Sequence, residues 1–170
     1  VLNGISFLVK NAGIPIIIKE VGAGISRDVA QRLLDCGVRI IDVAGAGGTS
    51  WSGVEILRKK HTSESAFFWD WGIPTAECLE MIYPLKQHTN FTLISSGGIN
   101  SAIDIAISLA IGADICASAR PMITILKQQG QYALEETLLD WQEILKKIMF
   151  LVGANNIRSL QNTTHIKKNN

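Results

Sequence analysis

The feature that most constrains this chain is an alternation that recurs four times along 170 residues. A short β-branched apolar run is followed by a glycine-rich or polar exit and then by apolar residues at helical spacing. The runs are Ile16-Ile17-Ile18-Lys19-Glu20-Val21, Val38-Arg39-Ile40-Ile41-Asp42-Val43-Ala44, Phe91-Thr92-Leu93-Ile94-Ser95 and Asp114-Ile115-Cys116-Ala117-Ser118. Runs this short and continuous predict strands buried on both faces, as parallel strands are. Strands alternating with helices predict a parallel sheet with the helices packed outside it, joined by right-handed crossovers.

The helices announce themselves by their punctuation. A first one spans about 3–12 and stops at Gly13. Ser26 is placed to N-cap a second, whose apolar face is Val29, Ala30, Leu33 and Leu34 and whose stop is Gly37. A short extra helix is expected near 54–60, and another from Pro74 to about Leu85, with the proline in its first turn. Ser101 to Ile111 shows Ile103, Ala106, Ile107 and Ala110 on one face, with Asp104 placed for a capping box. The last helix is expected over 134–151. Residues 1–160 read as one partial barrel domain and 161–170 as a polar tail.

Composition excludes several classes of function. A net charge of +1 with no block of like charges gives no field for nucleic acid. No apolar run reaches the roughly 18 residues of a membrane span, and the N-terminus lacks a signal-peptide layout; the reading is a cytoplasmic chain that neither binds nucleic acid nor enters a membrane. Cys36, Cys78 and Cys116 are odd in number and lack a C-x-x-C pair, so they read as reduced, core-type thiols. His61, His88 and His165 lack metal-ligand spacing and read as surface residues. There is no G-x-S-x-G elbow or H-E-x-x-H pair.

Two architectures compete for such an alternation. A doubly wound nucleotide binder concentrates its glycines after the first strand, whereas here every strand exit is polar or glycine-rich, as in a barrel. A full (β/α)8 barrel takes about 250 residues, so four units make half. Barrels hold phosphate in the loops after strands 7 and 8. If these strands are 5–8, Gly97, Gly98 and Ile99 follow strand 7, and Ala119 and Arg120 follow strand 8. Glycines let backbone N–H groups approach an anion, and a helix start adds partial positive charge. Lys19 ends the first strand on the same rim, where its charge could stabilise a developing anion. Thr49 offers either a hydroxyl or a helix N-cap. Trp51, Trp69 and Trp71 form either a cap over an apolar ligand or a satellite core.

Five stretches taken together resemble one family: Ile18-Lys19-Glu20-Val21-Gly22-Ala23-Gly24-Ile25-Ser26; Ile41-Asp42-Val43-Ala44-Gly45-Ala46-Gly47-Gly48-Thr49-Ser50-Trp51; Asp70-Trp71-Gly72-Ile73-Pro74-Thr75; Ser96-Gly97-Gly98-Ile99; and Met149-Phe150-Leu151-Val152-Gly153-Ala154-Asn155-Asn156-Ile157. They are similar to the C-terminal half of type 2 isopentenyl-diphosphate isomerases. The resemblance implies the C-terminal half of an FMN-dependent TIM (β/α)8 barrel, strands 5–8, which interconverts isopentenyl and dimethylallyl diphosphate in isoprenoid biosynthesis. It implies NADPH to keep the flavin reduced, Mg2+ on the isoprenyl diphosphate substrate, and a homo-oligomer at full length. Carried over by motif, Lys19 faces the flavin ring and Thr49 contacts the cofactor. Gly97, Gly98 and Ile99 hold its phosphate, and Ala119 with Arg120 completes that site.

The departures are Ala44 in place of a common flavin-contacting serine, Ala46 in place of a longer polar residue, and Arg120 where glycine is frequent. The family's substrate and acid residues and its Mg2+ ligand belong to the first four strands, so no catalytic or metal-binding residue is assigned here. The opening at Val1 rather than Met fits a piece of such a barrel, expected to be inactive alone. The alternatives are a non-catalytic remnant and an FMN barrel of the 2-hydroxy-acid oxidase type. The latter lacks the His and Arg it would need at Gly45 to Thr49.

Overall fold

The computed structural model describes residues 1–58 and 67–166. Helix α1 (Leu2–Asn11) precedes β1 (Ile17–Lys19), α2 (Arg27–Asp35), β2 (Ile40–Asp42) and α3 (Trp51–Arg58). Then come α4 (Thr75–Ile82), a 3-10 turn at Tyr83–Gln87, β3 (Thr92–Ser96), α5 (Ala102–Ile111), β4 (Ile115–Ala117), α6 (Arg120–Leu151) and α7 (Ile157–Gln161). The strands form one parallel sheet in the order β1-β2-β3-β4, as the alternation predicts.

Register sorts the strand side chains onto two faces. Lys19, Asp42, Ile94 and Ile115 are successive partners across the sheet and therefore share one face. Their neighbours Ile41, Val43 and Leu93 point the other way and are fully buried against Ala30, Leu33 and Leu34 of α2 and Cys78, Leu79 and Ile82 of α4. The hydrophobic core thus lies between the sheet and its helices. The other face is open at the edges: Ile17 is 54% and Ile115 50% exposed. β1 is therefore not buried on both faces, because it and β4 each have a single strand neighbour.

Several helices differ from expectation for identifiable reasons. Ser26 does cap α2, its Oγ accepting from Val29 N, but Val29 itself is exposed. In α5 the buried positions include Ala102, Ala106, Leu109 and Ala110, while Ile103 and Ile107 face outward. That helix is apolar around most of its girth, so spacing does not identify the packed side, and its small residues take the close approach. Asp104 closes the helix start by accepting from Asn100 N and Ser101 Oγ, while Ser101 Oγ accepts from Asp104 N.

α6 begins at Arg120, well before the predicted start at 134, and is interrupted at Gly130 (φ 86°, ψ 180°). Pro121 sits in its first turn, where the missing N–H is harmless. α7, absent from the sequence reading, is capped by Asn156, whose Oδ1 accepts from Ser159 N at 2.8 Å. Leu160 of α7 is buried with Leu109, Ala110 and Ala154 in a second small core. Gln161 donates to Ala113 O at 2.9 Å, tying the end of α7 to the segment before β4.

Candidate active-site cleft

All seven residues singled out from the sequence line one cleft of about 660 Å3 at the C-terminal ends of the strands: Lys19, Thr49, Gly97, Gly98, Ile99, Ala119 and Arg120. Ala44, Asp42 and Ser96 line it as well.

The two central exits interlock. Thr75 Oγ1 donates to Gly97 O at 2.6 Å and to Ser96 O at 3.1 Å, and Gly45 N donates to Ser96 O at 2.9 Å. Gly97 and Gly98 both have left-handed backbones (φ 93° and 77°). A Cβ on Gly97 would overlap Gly45 O, and one on Gly98 would stand 2.9 Å from Gly47 O. The glycine pair is therefore required first by loop-against-loop packing. The N–H groups of Gly97, Gly98 and Ile99 find no acceptor among the described residues, and neither do those of Gly47, Gly48 and Thr49. In the same cleft, Ala119 and Arg120 open α6, whose first-turn N–H groups carry the positive end of the helix dipole.

Lys19 lies at the centre of a hydrogen-bonded cluster that the sequence reading did not identify. Its Nζ donates to Asp42 Oδ2 at 2.5 Å and to Ser96 Oγ at 2.8 Å, and Ser96 Oγ donates in turn to Asp42 Oδ1 at 2.5 Å. Ala44 N also donates to Asp42 Oδ1, at 3.1 Å. Ala44, also held through its carbonyl by Gly24 N, has φ 37°, a left-handed value rare for alanine that costs roughly 1–2 kcal/mol. Asp42 could have been suspected from its sequence position, since an acid inside an otherwise apolar central strand needs a partner. Glu20 is satisfied locally: its Oε2 accepts from the N–H groups of Val21, Gly22 and Ala23 at 2.6–2.7 Å, shaping the β1 exit.

Thr49 is not the cap of α3. Ser50 Oγ accepts from Gly53 N at 3.0 Å and takes that role, which leaves the Thr49 side chain at the cleft. Trp69, Asp70 and Trp71 flank a second, adjoining hollow that shares Thr49 and Arg120 with the first. Trp69 packs over Gly53, while Trp71 contacts Phe67 and Phe68 with ring centroids 5.9 Å apart. His88 and His165 are exposed, and His61 lies outside the described residues. Among the described residues no cluster of three His, Cys, Asp or Glu could hold a metal ion, and no helix is long and apolar enough to cross a membrane.

Amides without an acceptor among the described residues, a helix start and a paired lysine line one cleft at the ends of parallel strands, a donor set that suits an anion. The chain belongs to the FMN-dependent dehydrogenase family, whose model matches residues 2–168. It is similar to the isopentenyl-diphosphate delta-isomerases of Chlorobium phaeovibrioides (44% identical, covering 99% of this chain and 50% of that one) and Methanosarcina mazei (41% identical, 88% and 41%). The chain thus spans about half the length of the curated relatives it matches. A crystal structure of mandelate oxidase with (S)-4-hydroxymandelic acid superposes with TM-score 0.72 over 96% of this chain and 40% of that one, at 18% identity. That likeness assigns the fold, and with it these four strands are half of a (β/α)8 barrel.

Proposed function

We propose that this chain is the flavin-phosphate half of an FMN-dependent isomerase that interconverts isopentenyl and dimethylallyl diphosphate. The observation that carries the reading is that the amides of Gly97, Gly98 and Ile99, which find no acceptor among the described residues, line the same cleft as the start of α6. An FMN phosphate fits the donors present: backbone N–H groups, the helix dipole and the Arg120 guanidinium. The chemistry that reduced FMN would supply there is proton exchange at the allylic carbon. Lys19 would meet the flavin ring with a positive charge, stabilising negative charge on it, and Thr49 would add a hydroxyl contact. Taking the strands as 5–8 places Gly97 and Arg120 in the loops where barrels hold phosphate.

The isomerase reaction rests on the names of the relatives, and the 2-hydroxy-acid oxidase alternative finds no His or Arg at Gly45 to Thr49. NADPH as reductant, Mg2+ on the diphosphate, a cytoplasmic setting and a homo-oligomer rest on the resemblance alone. The test is to add FMN, NADPH and Mg2+ with labelled isopentenyl diphosphate to the purified chain, following flavin fluorescence and product together. Flavin binding with little turnover is the expected result for these residues by themselves. Intact folding with no flavin binding contradicts the reading.

A further inference from the structure

We infer that Asp42 and Ser96 are positioning residues that aim Lys19, consuming two of its three ammonium protons and leaving one N–H for a single lone-pair acceptor of the ligand. The inference deepens the reading above and rests on it for the identity of that acceptor, but not for the positioning itself.

The geometry is asymmetric in a way a surface ion pair is not. The Asp42 side chain is 7% exposed and that of Lys19 51%, so the carboxylate is the enclosed member and the lysine the one that reaches the cleft. Asp42 is held before Lys19 arrives: Oδ1 accepts from both Ala44 N and Ser96 Oγ, which leaves Oδ2 as the oxygen that takes the ammonium. Ser96 Oγ spends its own proton on Asp42 and so can only accept from Lys19. Two acceptors of fixed position, on β2 and β3, thus define the direction of Nζ from β1. A long lysine stem ordinarily loses rotamer freedom when a ligand arrives; here the two strands have already removed it. Paired with Asp42, Lys19 presents its charge through one directed donor rather than as a freely rotating cation. This suits an atom whose negative charge is shared with a ring more than a phosphate, which the amide cradle already serves.

The test needs no bound flavin. The full chain is pulsed with an acetylating N-hydroxysuccinimide ester, and Lys19 modification is read by peptide mass spectrometry against exposed Lys10 as internal reference. An amine must leave both partners before it can attack. Lys19 is therefore expected to react about tenfold more slowly than Lys10, the equivalent of one charge-assisted hydrogen bond. Asp42→Asn keeps an oxygen for Ala44 N but removes the charge, and it should bring Lys19 close to the Lys10 rate. Ser96→Ala should give an intermediate rate. Circular dichroism reports folding; should Asp42→Asn fail to fold, Ser96→Ala decides alone. A Lys19 rate unchanged in the folded variants overturns the inference. Altered Lys19 rates in a chain that binds no FMN leave the positioning intact and remove the flavin reading instead.

Discussion

Gly97 and Gly45 approach so closely that a methyl group on Gly97 would overlap the Gly45 carbonyl oxygen. The exits of β2 and β3 are therefore one packed unit, and the backbone of Gly97 and Gly98 that lines the cleft is fixed by contacts with Gly45 and Gly47.

Gly97→Ala should be severely destabilising, because it combines a left-handed backbone with a backbone clash. A loss of about 3 kcal/mol or more is expected, against about 1–2 kcal/mol for Gly130→Ala, where the backbone (φ 86°, ψ 180°) is also strained for alanine but the space around it is open. Urea denaturation of the two variants checks the difference, and equal losses would mean that strain alone, without packing, requires Gly97.

Lys19→Met keeps the stem and removes the charge. Asp42 retains Ala44 N and Ser96 Oγ as donors, and Lys19 is half exposed. The cost should then stay near 1–2 kcal/mol, below that of breaking a fully buried pair. Urea midpoints at neutral pH measure it.

Arg120 is exposed at the first turn of α6 and lines the cleft. Arg120→Ala should leave stability within about 0.5 kcal/mol of the parent chain. FMN affinity should fall about tenfold, as loss of a charge-assisted phosphate contact implies, measured by flavin fluorescence.

Burial pushes the Cys116 thiol up to about 11 from an ordinary value of 9.0, partly offset by its hydrogen bond with Ser108. Its folded pKa is raised, so this contribution to stability is fully present below pH 9 and is lost as pH rises through about 11. Comparing urea midpoints of the parent chain and Cys116→Val at pH 8 and pH 10.5 should show the parent losing more. Iodoacetamide at pH 8 should modify Cys116 slowly for the same reason.

What could be read from the sequence was whatever local chemistry decides. Ser26 and Ser101 cap helices because a hydroxyl before an apolar run has one good use, and four strand exits met at one rim because parallel strands share a direction. What could not be read depended on neighbours. Ile103 and Ile107 matched a helical spacing but face outward, since α5 offers apolar residues on most sides and the sheet accepts its alanines. Arg120 read as a loop because Pro121 and Gly130 are helix breakers by composition, yet both sit where a helix tolerates them, at its first turn and at its break. Asp42 went unassigned because its partners are 23 and 54 residues away. Only the register of three strands brings Lys19, Asp42 and Ser96 together.

The phosphate cradle is tested most directly by titrating the purified chain with FMN and, separately, with riboflavin, which carries the same ring and no phosphate. FMN should bind at least about tenfold more tightly, a preference that Arg120→Ala narrows and high salt weakens. Equal affinity for the two, or binding of neither by the folded chain, contradicts a phosphate site at Gly97, Gly98 and Ile99.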